Sequence, residues 1–235
     1  MFDTAHLISL LDLTSLNDSD NDQTIQLLCQ RAQTPLGSVA AVCVYPRFVS
    51  LAKALLSNKS VAVATVVNFP MGTASLDDVI IEISSALAMG ADEIDIVIPY
   101  QDCVNGDINS TVLMVKTAKA ICSGKWLKVI LETGAFPDDN AIFDLSCQVL
   151  QAGADFIKTS TGKIAVGATL EAAESMLRAI SATNPLAGLK VSGGIKTQDQ
   201  AMSYLSLAFQ LMGKKWCTPK HIRFGASSLL DDLLG

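Results

Sequence analysis

The chain has 235 residues, half of them hydrophobic and only 17% charged, with a formal net charge of −6. A single core-rich domain fits these figures, since α/β barrels run to roughly 200–250 residues as one unit, and the acidic balance disfavours a general nucleic-acid surface, which needs clustered Lys and Arg against phosphates. The longest uncharged stretch, residues 60–76, is broken by Asn68, Pro70 and Gly72, so no membrane helix of about 20 apolar residues is expected.

The first 30 residues carry Asp3 and Asp12 but no Lys or Arg before Arg31, which lacks the basic region of a secretory signal and gives the expectation of a cytoplasmic protein. Six cysteines without a CxxC pair indicate neither a zinc ribbon nor a disulfide framework. With only His6 and His221 for imidazole ligands, no metal or other cofactor is expected.

In chain order, apolar or β-branched runs at 8–13, 39–45 and 61–69 are strand candidates. An amphipathic helix at 76–89 then leads to a strand at 93–98. The pattern continues with helix 108–121 and strand 127–132, helix 141–152 and strand 154–159, helix 170–182 and strand 188–192, and helix 198–211 and strand 221–225. Eight strand-helix units of about 29 residues match a single-domain (β/α)8 TIM barrel over 1–235, with an open doubly wound sheet as the alternative. Ala86-Leu-Ala-Met-Gly-Ala-Asp92 and Val149-Leu-Gln-Ala-Gly-Ala-Asp155 echo one another; each reads as a helix closing at Gly before a strand begins.

The scarce charges fall inside these strands. Alternation places Ile94, Ile96 and Ile98 on one face and Glu93, Asp95 and Val97 on the other. If helices cover the isoleucines, Asp95 points into the barrel, and the same reasoning sends Lys128, Lys158 and Lys190 inward from the next three strands. Burying a charge without a partner is expensive, so four on consecutive strands suggest a catalytic constellation more than a packing accident.

A lysine amine attacks a carbonyl only when neutral. Working near pH 7 therefore needs a downward shift of about three units from 10.4, which a second lysine and desolvation both favour. Lys158 and Lys190 are placed for this, and Asp95 could relay protons directly or through water. After the last two strands, Ser192-Gly-Gly-Ile-Lys196 and Phe224-Gly-Ala-Ser-Ser228 occupy the two loops where barrels often hold phosphate. Lys196 and Lys163 would add positive charge there.

These residues resemble the deoxyribose-phosphate aldolases, metal-independent class I enzymes. The resemblance runs from Leu11-Asp-Leu-Thr-Ser-Leu-Asn17 through Ala41-Val-Cys-Val-Tyr-Pro-Arg-Phe48, Glu93-Ile-Asp-Ile-Val-Ile-Pro-Tyr100, Leu127-Lys-Val-Ile-Leu-Glu-Thr-Gly134, Asp155-Phe-Ile-Lys-Thr-Ser-Thr-Gly-Lys163 and Lys190-Val-Ser-Gly-Gly194 to Arg223-Phe-Gly-Ala-Ser-Ser228. It implies reversible cleavage of 2-deoxy-D-ribose 5-phosphate to acetaldehyde and D-glyceraldehyde 3-phosphate in deoxyribonucleoside catabolism. By motif position Lys158 matches the Schiff-base lysine, Asp95 the proton-relay carboxylate and Lys190 the lysine that tunes the nucleophile. Lys128, Asp12 and Thr14 match polar residues near the pocket, as supports or in a direct role.

Thr161, Gly162, Lys163, Gly193, Gly194, Lys196, Gly225, Ser227 and Ser228 resemble the hydroxyl and phosphate contacts. Cys43 matches a family cysteine near the pocket, open either to modification by aldehydes or to a plain core role. Some relatives carry a tail ending in tyrosine that assists proton transfer. Here residues 229–235 contain none, which leads to an expectation of slower proton exchange or of reliance on Asp95 and water. The expected partner is a small phosphosugar, with no nucleic acid and no membrane, and a homodimer stays open. A phosphosugar isomerase and a non-catalytic sugar-phosphate-binding barrel are the alternative readings.

Overall fold

The computed structural model describes residues 2–235. Eight parallel strands close into a barrel: β1 (Leu11–Thr14), β2 (Ala41–Val44), β3 (Ala62–Val67), β4 (Glu93–Val97), β5 (Trp126–Ile130), β6 (Phe156–Lys158), β7 (Gly188–Ser192) and β8 (Ile222–Ala226). They pair in chain order, and β1 closes the ring by pairing with both β2 and β8. The open-sheet alternative is thereby excluded. A two-stranded hairpin, Gln33–Thr34 with Gly37–Ser38, stands outside the barrel. No helix is long and apolar enough to cross a membrane among the described residues.

Helices α1 (Thr4–Ser9), α2 (Asp22–Arg31), α3 (Val49–Leu55), α4 (Leu76–Ala88), α5 (Tyr100–Val104), α6 (Asn109–Ile121), α7 (Asp139–Gln151), α8 (Leu170–Thr183), α9 (Gln198–Met212) and α10 (Leu229–Leu234) complete the chain. Their starts are set by local chemistry. Ser75 and Thr169 each accept a hydrogen bond from a first-turn amide, and Thr197 forms a reciprocal capping box with Gln200. Residues 8–10 differ from the sequence expectation: Asp3 caps α1, so Ile8 is helical and the first strand begins only at Leu11. A short apolar run does not distinguish the two states by periodicity.

The outward face of the sheet packs under the helices, with Ile94, Ile96, Leu127, Val129, Ile157, Leu189 and Val191 all in one apolar core. The lumen is divided. Beside β2 and β3 it holds Ala41, Cys43, Ala64 and Val66 in a small second cluster with Leu16, whereas from β4 round to β1 it is ionic. Gly188 is part of that layout: a Cβ there would lie 2.2 Å from the Phe156 ring, which occupies the space.

The internal echo reflects a shared joint. Gly90 and Gly153 follow their helices with φ of +99° and +107°. Asp92 accepts from the Val63 amide and from Lys53, and Asp155 accepts from the Leu127 amide and from Lys119. Each aspartate thus fastens the start of the neighbouring strand to the preceding helix, and a glycine without a Cβ lets the lysine stem pass.

Candidate active site

Parallel register sets Asp95 beside Lys128 and Lys158 beside Lys190. Because all four side chains point into the lumen, they meet there. Asp95 Oδ2 accepts from Lys158 Nζ at 2.9 Å and from Lys190 Nζ at 2.7 Å, while Oδ1 accepts from Lys128 Nζ at 2.9 Å. Asp12, from β1, approaches Lys190 Nζ at 2.7 Å through Oδ2. Asp12, Asp95, Lys128 and Lys190 are fully buried, and Lys158 keeps 3% of its surface.

The electrostatics separate the lysines. Burial pushes Lys158 down; Asp95 opposes this, Lys190 adds to it, and the result lies below the ordinary lysine value. Burial acts on Lys190 in the same direction, but Asp12 and Asp95 outweigh it and hold the ammonium. Lys128 is likewise raised, with Asp95, Glu93 and Asp12 overcoming desolvation. Desolvation opposes ionisation of Asp95 as well, yet Lys128, Lys158 and Lys190 together hold it well below the usual carboxylate range. Lys158 is therefore the member of the group nearest to a neutral amine at physiological pH.

Above Lys158 a cavity of about 210 Å³ opens at the C-terminal end of the strands, where β/α barrels carry their chemistry. It is lined by Lys158 and Thr14 together with all nine residues assigned by sequence to hydroxyl and phosphate contacts: Thr161, Gly162, Lys163, Gly193, Gly194, Lys196, Gly225, Ser227 and Ser228. Two of the glycines are sterically required. A Cβ on Gly225 would stand 2.9 Å from Lys190 Cε, and Gly193, at φ +90°, would place one 3.0 Å from the Gly167 backbone. Lys196 is exposed, and Lys163 is anchored through Nζ to the Leu16 carbonyl at 2.6 Å.

The supporting residues have definite places. Asp12 also bonds Arg223, and Thr14 donates through its hydroxyl to the Asp12 carbonyl at 2.8 Å. Thr159 and Ser192 exchange two bonds, with the Ser192 amide donating to Thr159 Oγ1 at 3.0 Å and Thr159 Oγ1 to the Ser192 carbonyl at 2.9 Å; these lock the ends of β6 and β7. The Cys43 thiol is fully buried and burial pushes it up, both of which oppose reaction with aldehydes.

Sequence reasoning missed Glu132. Its backbone is left-handed at φ +56°. Its buried carboxylate accepts from the Thr161 amide at 3.2 Å and from the Thr161 hydroxyl, fixing the turn at the cavity wall. Burial raises its pKa against those hydrogen bonds. Glu132 shares the parity of Lys128, but β5 ends at Ile130 and alternation does not carry past that point. Glu93 and Arg223 were also given no role, although both are buried in the lumen.

The lumen carboxylates are taken up by cations, and no group of three His, Cys, Asp or Glu side chains is arranged to hold a metal ion among the described residues. The family model of the DeoC/LacD aldolases matches residues 6–235. Among solved structures, a candidate deoxyribose-phosphate aldolase from Toxoplasma gondii ME49 is 26% identical with a TM-score of 0.89, covering 98% of this chain and 94% of that one. One from Coccidioides immitis is 27% identical with a TM-score of 0.87, covering 99% and 87%. The deoxyribose phosphate aldolase of Aeropyrum pernix is 26% identical with a TM-score of 0.79, covering 98% and 91%.

Proposed function

The chain belongs to the DeoC/LacD family of aldolases, and from that premise we propose that it reversibly cleaves 2-deoxy-D-ribose 5-phosphate through a Schiff base on Lys158. The observation that carries the reading is the position of Lys158: its amine lies at the base of the mouth cavity, 2.9 Å from a carboxylate oxygen that Lys190 also occupies. Burial, with Lys190 beside it, lowers the pKa of this amine against the pull of Asp95, and it faces the substrate space.

The neutral amine adds to the aldehyde carbon C1, and the carbinolamine loses water to give an iminium. A base removes the C3 hydroxyl proton, the C2–C3 bond breaks, and its electron pair passes into the C1–C2 bond of an enamine as C3 becomes the aldehyde of D-glyceraldehyde 3-phosphate. Protonation of the enamine at C2 and hydrolysis then release acetaldehyde and the free lysine. Asp95, ionised and bonded to Lys158 and Lys190, is positioned to pass protons at the first and last stages directly or through water. The Gly193–Gly194 turn and the Gly225–Ser228 loop, with Lys163 and Lys196, would hold the phosphate at the open end of the cavity.

Isomerase chemistry is less well supported, because it forms no imine and gives the lowered pKa of the Lys158 amine at the base of the cavity no part to play. The test is borohydride trapping with acetaldehyde, followed by peptide mass spectrometry. An ethyl adduct on Lys158 is expected. Turnover without any lysine adduct would overturn the mechanism, and phosphosugar binding without turnover of any aldehyde pair would favour the non-catalytic reading.

A further inference from the structure

Six buried side chains in the lumen form one closed circuit of alternating charge. Asp95 Oδ1 accepts from Lys128 at 2.9 Å; Lys128 also donates to Glu93; Glu93 Oε1 meets Arg223 at 3.3 Å. Arg223 donates to Asp12, whose other oxygen meets Lys190 at 2.7 Å, and Lys190 returns to Asp95 at 2.7 Å. The three carboxylates and three cations sum to zero. Lys158 is the odd cation, attached only at Asp95 Oδ2, an oxygen that Lys190 already uses.

Glu93 and Arg223 close this circuit at the far end of the barrel. Both line a second cavity, of about 620 Å³, on the side where the strands begin. Glu93 sits two residues before Asp95 on β4, roughly 7 Å further from the mouth at strand rise. The Arg223 guanidinium lies 5.3 Å from the Trp126 ring centroid and 5.9 Å from that of Phe156, which fixes it in place.

We infer that Glu93 and Arg223 are positioning residues that set the protonation of Lys158 from the barrel floor, without touching the substrate. The inference rests on the reading of Lys158 as nucleophile. Glu93 and Arg223 each keep only 4% of their surface at the cavity wall, so a charge lost from the circuit is screened less than a surface charge would be. Without Glu93 the circuit carries +1 and disfavours the Lys158 ammonium; without Arg223 it carries −1 and favours it. The other groups around Lys158 are Asp95 on β4, Lys128 and Glu132 on and just after β5, Lys190 on β7 and the protonated Cys43 on β2, with Lys163 and Lys196 on the walls of the cavity above it. Those near the floor pair are Lys128, Asp12 and the Asp92–Lys125 pair at the cavity rim. None of them replaces a missing circuit charge.

The acid limb of kcat/KM against pH reads the nucleophile in the free enzyme. Glu93→Gln should move that limb to lower pH and Arg223→Gln to higher pH, each by about one unit. The double variant should return it to within a few tenths of a unit of the parent, because its circuit is again neutral. A purely structural role predicts losses in one direction, worst in the double variant. Shifts of the same sign, or no shifts, in an enzyme whose Lys158 is trapped by borohydride would overturn the inference, whereas failure of trapping in the parent would overturn the Schiff-base reading instead. Lysine 13Cε NMR of the unaltered protein supplies a measurement independent of whether the variants fold. Lys158 should titrate while Lys128 and Lys190 stay charged through pH 10, and loss of a proton from either of those first would refute the circuit.

Discussion

The two faces of the barrel sheet differ more sharply than its two ends. Outward, Ile94, Ile96, Leu127, Val129, Ile157, Leu189 and Val191 meet the helices in a continuous apolar layer; inward, the same strands present Glu93, Asp95, Lys128, Lys158 and Lys190, completed by Asp12 and Arg223. Burial stabilises the first layer directly, at about 25 cal/mol per Å² of apolar surface. In the second, desolvation of the charges offsets much of what pairing returns. Holding shape falls to the outer layer, and the lumen can therefore be specialised for chemistry that would otherwise weaken the fold.

Four substitutions test that division, in order of expected effect. Lys158→Leu should abolish turnover in a cleavage assay while leaving thermal stability equal or higher, since it removes the one buried lysine without a carboxylate of its own; measurable turnover would place the chemistry elsewhere. Asp95→Asn should instead destabilise, by about 3–5 kcal/mol in urea unfolding, because three lysines lose their common counter-charge. A stability close to that of the parent would mean the lumen carries less charge than described.

Ile94→Ala, one residue away in sequence but on the opposite face, should cost about 2–5 kcal/mol through the cavity it leaves. Its pH profile should not move, and a displaced profile would show that the two layers are coupled. The smallest effect belongs to Lys190→Leu. Removing a neighbouring positive charge raises the pKa of Lys158, so the acid limb moves to higher pH. Activity at neutral pH then falls about tenfold for each unit of that shift and recovers as the pH is raised. A limb moved to lower pH would reverse the role given to Lys190.

Much of the site was legible in the strand pattern. Alternation alone put Asp95, Lys128, Lys158 and Lys190 in the lumen, and the Gly193–Gly194 pair and the Gly225–Ser228 segment at the ends of the last two strands located the wall of the mouth cavity. Glu132 escaped because β5 ends at Ile130 and the chain then enters a left-handed turn, a backbone event with no glycine to mark it. The first strand was placed too early because Asp3 capping α1 competes with an apolar run that suits either state. The echo at 86–92 and 149–155 was correctly read as loop geometry, but its function as a joint needed Lys53 and Lys119, which come from other elements.

What the sequence determines by itself is what can be counted along one strand: an eightfold strand-helix repeat, an apolar face and an inward charge on each of four consecutive strands. Which charges pair was decided only by closure of the barrel. Glu93 and Arg223 are 130 residues apart and Arg223 and Asp12 are 211 apart, and they meet because β1 and β8 close the sheet and long side chains reach across its lumen. Local periodicity carries direction but not distance, so the cation left without a carboxylate of its own, Lys158, is identified only when all seven charged side chains are in place.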